Sequence, residues 1–136
     1  MLWIEERNSA FCLVFSRIRF SLWSGGGRAA QRLARQGVGA RLLSMPVVKP
    51  LDEEAVLAAA RQTGRIITVE EGTVKGGLGG AVAELVTERC PVPVRRIGVP
   101  DEFAPTGSEA WLMDHWGISA DGIIAAAREL VAGPAA

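Results

Sequence analysis

Three features of the sequence predict an α/β fold built on a largely parallel sheet. From about residue 25 onward, short apolar or β-branched runs alternate with stretches of helical period, joined by short connections. Helix starts are marked by Asp52, Ser108 and Ser119, and helix ends by Gly37 and Gly64. Neither an internal repeat nor a long linker divides the 136 residues, which are one domain's worth and enough to bury a core. Such alternation places helices on both faces of one sheet.

Taken in order, "GGGRAAQRLARQGV" predicts a helix over residues 28–36, stopped by Gly37. "ARLLSMP" reads as a short strand that ends before Pro46. "LDEEAVLAAARQTG" is a helix with Asp52 as N-cap and Glu53 and Glu54 in its first turn, where acidic groups suit the helix dipole. "RIITVEE" is a strand. Leu78, Ala81, Val82, Leu85 and Val86 then form a helical stripe. "VPVRRIGVP" is a strand bounded by Pro91 and Pro100, "GSEAWLMDHWG" a short helix, and "SADGIIAAARELV" a final helix with Ile123, Ile124, Ala127, Leu130 and Val131 inward. Residues 1–24 form a poorly defined segment. "FCLVF" within it is a candidate first strand, but "SRIRFSLWSGGG" has neither clear period nor helix signal. The domain proper is expected over 25–132, with 133–136 a frayed tail.

Hydrophobic residues make up 49% and charged residues 22%, a globular composition with zero formal net charge. That balance gives no global reason to expect nucleic acid or an anionic membrane as partner. Residues 1–49 carry eight Lys or Arg against two Glu, and the remainder seven against thirteen acids. Arg17, Arg19, Arg28, Arg32 and Arg35 are therefore a weak nucleic-acid candidate, with a solvated basic segment the plainer reading. The start lacks the apolar run of a secretory signal, and no stretch approaches the ~20 apolar residues of a membrane span. Cys12 and Cys90 lack metal-type spacing. Two buried thiols in a reducing, cytoplasmic compartment are expected.

Several chemistries are excluded. His115 is the single histidine, so neither a multi-His metal site nor a His dyad is available. Beside Trp111 and Trp116 it reads as a partly buried structural residue. Ser24 and Ser108 each lack a flanking glycine of the nucleophile elbow, and Cys90, before Pro91 at a helix end, favours structure over nucleophilicity.

The densest signal is "ITVEEGTVKGGLGGAVAEL", residues 67–85. Its glycines approach two phosphate motifs without completing either. Gly77-Leu78-Gly79 begins the dinucleotide fingerprint, but Val82 stands at the sixth position. Gly72 to Gly77 has P-loop spacing, but Leu78 and Gly79 replace the required Lys and Ser/Thr. Two uses remain open. The glycines let a helix pack closely and relax the strand-to-helix turn, or the helix amides, with Lys75 and Arg95, bind a small anion. Composition favours packing. Glu70, Glu71, Lys75, Gly76, Gly77, Gly79 and Gly80 are the candidate interface or anion-contact residues.

The stretch from Met45 to Leu85, continued from Pro93 to Ile124, resembles the C-terminal domain of transketolase-like thiamine-diphosphate enzymes. Lys49-Pro50-Leu51-Asp52, Val69-Glu70-Glu71, Gly76-Gly77-Leu78-Gly79 before Ala81-Val82-Ala83-Glu84, and Gly98-Val99-Pro100-Asp101 with Phe103 and Gly107 carry the likeness. It covers residues 38–132 well and 25–37 more loosely. Transketolase C-terminal sections come first, 1-deoxyxylulose-5-phosphate synthase is also similar, and pyruvate dehydrogenase β subunits are more distant.

The resemblance implies a three-layer α/β/α sandwich, mostly parallel with one antiparallel strand. It also implies that thiamine diphosphate and magnesium sit between two other domains, in a parent complex of dimeric type. This chain shows no sequence for those domains: the family's metal-binding Gly-Asp-Gly precedes an Asn, and the only Asn here, Asn8, lies upstream of Asp121-Gly122. The expected role is a section without catalytic, cofactor or metal residues of its own. It supports assembly with a catalytic section that brings the cofactor and pyrimidine domains. A free-standing binder of small anions or phosphometabolites at the 76–80 turn is the alternative. Two departures stand out. Residues 1–24 show no convincing version of the family's opening strand, Thr/Ser-Gly turn and helix, and Gly72 stands where many relatives carry His.

Overall fold

The run that the sequence leaves undecided lies at the centre of the sheet. The structure, a computed structural model, describes residues 10–16 and 20–133. The first strand, β1 (Ala10–Ser16), is followed by helix α1 (Phe20–Ala34) and strand β2 (Gly39–Met45). Phe11, Cys12, Leu13 and Val14 of β1 are wholly buried. A strand covered on both faces reads as an unbroken apolar run rather than an alternating one, which is why "FCLVF" carries no period.

The candidate strand "FCLVF" is thus a strand followed by a helix, whereas the sequence shows no convincing version of that opening; residues 1–9 and 17–19 lie outside the described residues. The helix also begins at Phe20, not Arg28. Its early turns were hidden by Gly25-Gly26-Gly27, residues of poor helix propensity. One of the three has a packing reason. A Cβ on Gly26 would stand 2.0 Å from Cζ of Phe15, so the missing side chain lets α1 lie directly on the ring.

Helix α2 (Glu53–Thr63), strand β3 (Ile66–Thr73), helix α3 (Leu78–Arg89) and strand β4 (Val94–Val99) complete the sheet, followed by the short α4 (Glu109–His115) and α5 (Ala120–Ala132). Strand order is β2-β1-β3-β4, and every described pairing is parallel. The antiparallel strand implied by the resemblance is not among the described strands. Because the order reverses after β2, right-handed crossovers send α1 to one face and α2 and α3 to the other. The side-chain alternation of the strands follows these layers. Phe11, Leu13, Phe15, Ile67, Val69 and Ile97 face α1 and α5. Cys12, Val14 and Ile66 face α2 and α3, where Val56, Ala60, Leu78, Val82 and Val86 meet them.

The predicted helix ends are realised in detail. The Asp52 side chain accepts from the Ala55 amide at 3.0 Å, just after a cis peptide at Pro50. Gly64 closes α2 in the left-handed region at φ 69°. Ser108 and Ser119 accept from the Trp111 and Gly122 amides.

Cys12 is buried as expected, whereas Cys90 is only half-buried at the end of α3. Burial pushes the Cys12 thiol from an ordinary 9.0 up to about 12, against a weaker opposing pull from Arg41. The folded chain therefore keeps a proton that the unfolded chain releases. Its contribution to stability is complete below pH 9.0 and is lost as pH rises toward 12. Denaturant melts across that interval should show stability falling with pH, and Cys12→Ala should remove part of the slope. Gly26→Ala, which forces the Phe15 ring to move, should cost about 1–3 kcal/mol in a urea titration.

Candidate functional site

At the C-terminal end of β3 the ladder breaks register. Val69 pairs with Ile97, but the next partner of Val99 is Thr73, so the intervening residues of β3 bulge away from β4. Gly98 makes room for this bulge: a Cβ there would lie 2.9 Å from the Gly72 carbonyl oxygen and 3.0 Å from Cγ of Glu70. Alternation directs Glu70 to the α3 face, opposite Val69.

The Glu70 carboxylate, 4% exposed, ends at the first turn of α3. Its Oε2 accepts from the Leu78 amide at 2.8 Å and its Oε1 from the Gly79 amide at 2.9 Å. A helix N-terminus has unpaired amides and a positive dipole end, so a carboxylate there satisfies both. Charge-assisted bonds of this kind offset the cost of burying an ionised group. No side chain of the N-cap residue, Gly77, is available for the task, so the cap comes from a strand eight residues upstream of Leu78.

The glycines of the turn have different jobs. Gly76 takes φ +74°, the left-handed region that favours glycine. A Cβ on Gly77 would fall 2.0 Å from Oε2 of Glu70, in the space the carboxylate fills. On Gly79 it would meet Oγ1 of Thr68 at 2.7 Å and Cγ of Arg96 at 2.9 Å. Thr68 is fully buried there and its hydroxyl has no hydrogen-bond partner among the described residues. Gly80 has nothing within 4 Å of a would-be Cβ, so neither space nor conformation requires it.

Of the other candidates, Lys75 is exposed and pairs with Asp101 at 3.0 Å. Glu71 is half-buried, within the irregular stretch of β3. Arg95 is not brought to the turn. It points to the α5 face and pairs with Glu129 at 3.4 Å, which corrects its grouping with Lys75. The neighbouring Arg96 lies there instead, donating to the Val74 carbonyl at 2.9 Å. Alternation along β4 was the signal that would have selected it. His115 is exposed rather than partly buried, and stacks on Trp111 with ring centroids 4.8 Å apart. Of the basic group, Arg17 and Arg19 lie outside the described residues, and Arg32 is paired with Asp121 at 2.6 Å. Among the described residues, no helix is long and apolar enough to cross a membrane.

The parallel sheet and its two helical layers define an open α/β/α domain in which the glycine turn's helix start is clasped by the Glu70 carboxylate. A family model described as the C-terminal domain of transketolase matches residues 27–123, and the chain belongs to that family. The 6-deoxy-6-sulfo-D-fructose transketolase subunit of Clostridium sp. (strain MSTE9) is 49% identical over 102 residues, 75% of this chain and 32% of the relative. One of the subunits of the apulose-4-phosphate transketolase of Phocaeicola vulgatus is 46% identical over 104 residues, 76% of this chain and 33% of its own. The 1-deoxy-D-xylulose-5-phosphate synthase of Heliobacterium modesticaldum is 44% identical over 103 residues, 75% and 16%. A solved structure described as a split gene transketolase, an inactive β4 tetramer, superposes with TM-score 0.81 at 32% identity, covering 93% of this chain and 40% of that one. The chain thus spans about a third of the two transketolase subunits and less of the synthase.

Glu70→Ala leaves two buried amides without an acceptor and should lower stability by about 1–3 kcal/mol in denaturant titrations. Glu70→Gln, which keeps one oxygen, should cost less. Gly80→Ala should instead stabilise α3 by about 0.5–1 kcal/mol, because an alanine there gains helix propensity and meets nothing.

Proposed function

We propose that this chain is the C-terminal, non-cofactor-binding section of a transketolase-type enzyme. It supports assembly and activity of a complex whose catalytic section carries the cofactor and pyrimidine domains, and the complex transfers ketol groups with thiamine diphosphate and magnesium. The observation that carries this reading is the use made of the α3 N-terminus. Its amides at Leu78 and Gly79 hold the chain's own carboxylate. The residues present therefore do not fit a diphosphate at that turn: the ligand's oxygens would have to displace Glu70, and a second negative charge beside it would be repelled. What the chain's residues do is hold a strand end, a helix start and the following loops in fixed relation.

The relatives described as transketolase subunits support a role within a larger assembly, as does the limited share of each relative that this chain covers. Less supports a free-standing phosphometabolite binder, since Glu70 fills the turn and Arg95 lies on the opposite face of the sheet.

The test is reconstitution. The purified chain is mixed with the catalytic section from the same organism, thiamine diphosphate and magnesium, and complex mass and ketol transfer are followed. A complex with transferase activity that falls at least tenfold when this chain is omitted is expected. Full activity without it, or saturable sugar-phosphate binding by the chain alone, would overturn the reading.

A further inference from the structure

At the opposite end of the sheet from the glycine turn, the chain leaves an open cavity of about 400 Å³. It lies where β3 and β4 begin, beside the last turns of α5. Arg65 precedes β3 and Pro93 precedes β4, and the bond from the Ile66 amide to the Pro93 carbonyl, at 3.0 Å, holds the two strand starts together. Arg65, Arg95 and Glu129 are the charged lining, and Pro93, Ala126 and Leu130 form an apolar wall. The volume is that of a small-molecule site.

The Arg65 guanidinium is fixed in place before any ligand arrives. Its Nε donates to the Leu130 carbonyl at 3.2 Å. The helical partner of that carbonyl would be residue 134, a proline without an amide hydrogen, so Arg65 supplies the donor that α5 lacks. The carbonyl of Arg65 accepts from the Cys12 amide at 2.8 Å and the Thr63 hydroxyl at 2.9 Å, which fixes its backbone as well. The residue is half-buried, and its two terminal nitrogens have no acceptor among the described residues. Parallel N–H groups of a guanidinium match the two oxygens of a carboxylate.

Charge narrows the ligand. Arg95 and Glu129 pair at 3.4 Å with both side chains more than half exposed, a contact that a ligand displaces at little cost. Two guanidinium groups face one carboxylate, so the cavity keeps one positive charge in excess. Glu129 and the negative pole of α5 then favour an anion of single charge over a phosphate dianion. The apolar wall is matched by a hydrocarbon body beside the charged head.

We propose that this cavity binds a small monocarboxylate with an apolar body, its carboxylate on Arg65 and Arg95 and its hydrocarbon part against Pro93, Ala126 and Leu130. The site is separate from the Glu70 clasp, and it goes beyond the assembly role proposed above without depending on it.

The test is titration of the full chain with phenylacetate, phenylacetamide and phenyl phosphate, read by calorimetry and by nitrogen-edited NMR of the arginine side chains. Saturable binding of phenylacetate is expected, with shifts at Arg65, Arg95 and the Gly133 amide. The neutral amide should bind at least about tenfold more weakly, and the phosphate more weakly than the carboxylate. Arg65→Gln should weaken phenylacetate binding at least about tenfold. Because Arg65 also caps α5, two variants at exposed positions accompany it. Arg95→Gln should weaken binding about threefold and Glu129→Gln should tighten it about twofold, both at the wild-type melting temperature. No saturation by phenylacetate, equal binding of phenylacetamide, or unchanged affinity in both arginine variants would overturn the proposal. Tighter binding of phenyl phosphate would make this a phosphate site and overturn it too. Displacement of phenylacetate by the catalytic section would assign the cavity to an acidic side chain of that section, which also overturns it.

Discussion

The Glu70 carboxylate at the first turn of α3 is the contact on which the arrangement of this end of the domain depends. It joins the last in-register part of β3 to the helix that follows and fixes the path of the connecting turn. Three other features are needed for it. The bulge in β3 brings the side chain to the helix, Gly98 leaves space for the bulge, and Gly77 leaves space for the carboxylate. The group is buried and matched by two amides and a dipole, so its removal exposes costs on both sides of the bond.

That arrangement gives two amides of the glycine-rich turn, at the carboxyl end of the parallel sheet, an acceptor from the chain itself. Phosphate loops keep their amides open toward a ligand. In this chain two amides point at an internal acceptor, and Gly79 instead allows α3 to lie against Thr68 and Arg96. Similar glycine spacing thus serves opposite ends, depending on whether an upstream carboxylate reaches the helix.

From the clasp, the same end of the sheet extends outward. The turn residues Val74 and Lys75 are tied to Val99 and Asp101, so the loop carrying Phe103 is anchored on the rigid part of the domain. The opposite helical layer, α1 against α5, is closed by apolar packing around Leu33, Ile123 and Ala127 and by the Arg32–Asp121 pair. The α1–α5 layer is accordingly closed by internal contacts, whereas the loop beside the clasp is held yet exposed.

Much of the fold was legible in the chain because the governing interactions are local. Asp52, Ser108 and Ser119 cap helices within three residues of themselves, and the stripe from Leu78 to Val86 needs only helical period to be recognised. The family motifs, including Glu70 and the 76–80 glycines, were also visible in order. What local pattern does not contain is which side of the sheet a residue meets, or what fills a given space. A doubly covered strand such as β1 carries no alternation, and the helical status of Gly25–Gly27 is settled by Phe15 beneath Gly26 rather than by propensity. The division between Arg95 and Arg96, the use of Glu70 as a cap from eight residues away, and the exposure of Phe103 were decided by tertiary structure. Those outcomes depend on strand register and on contacts between residues distant in the chain, where periodicity and composition carry no information.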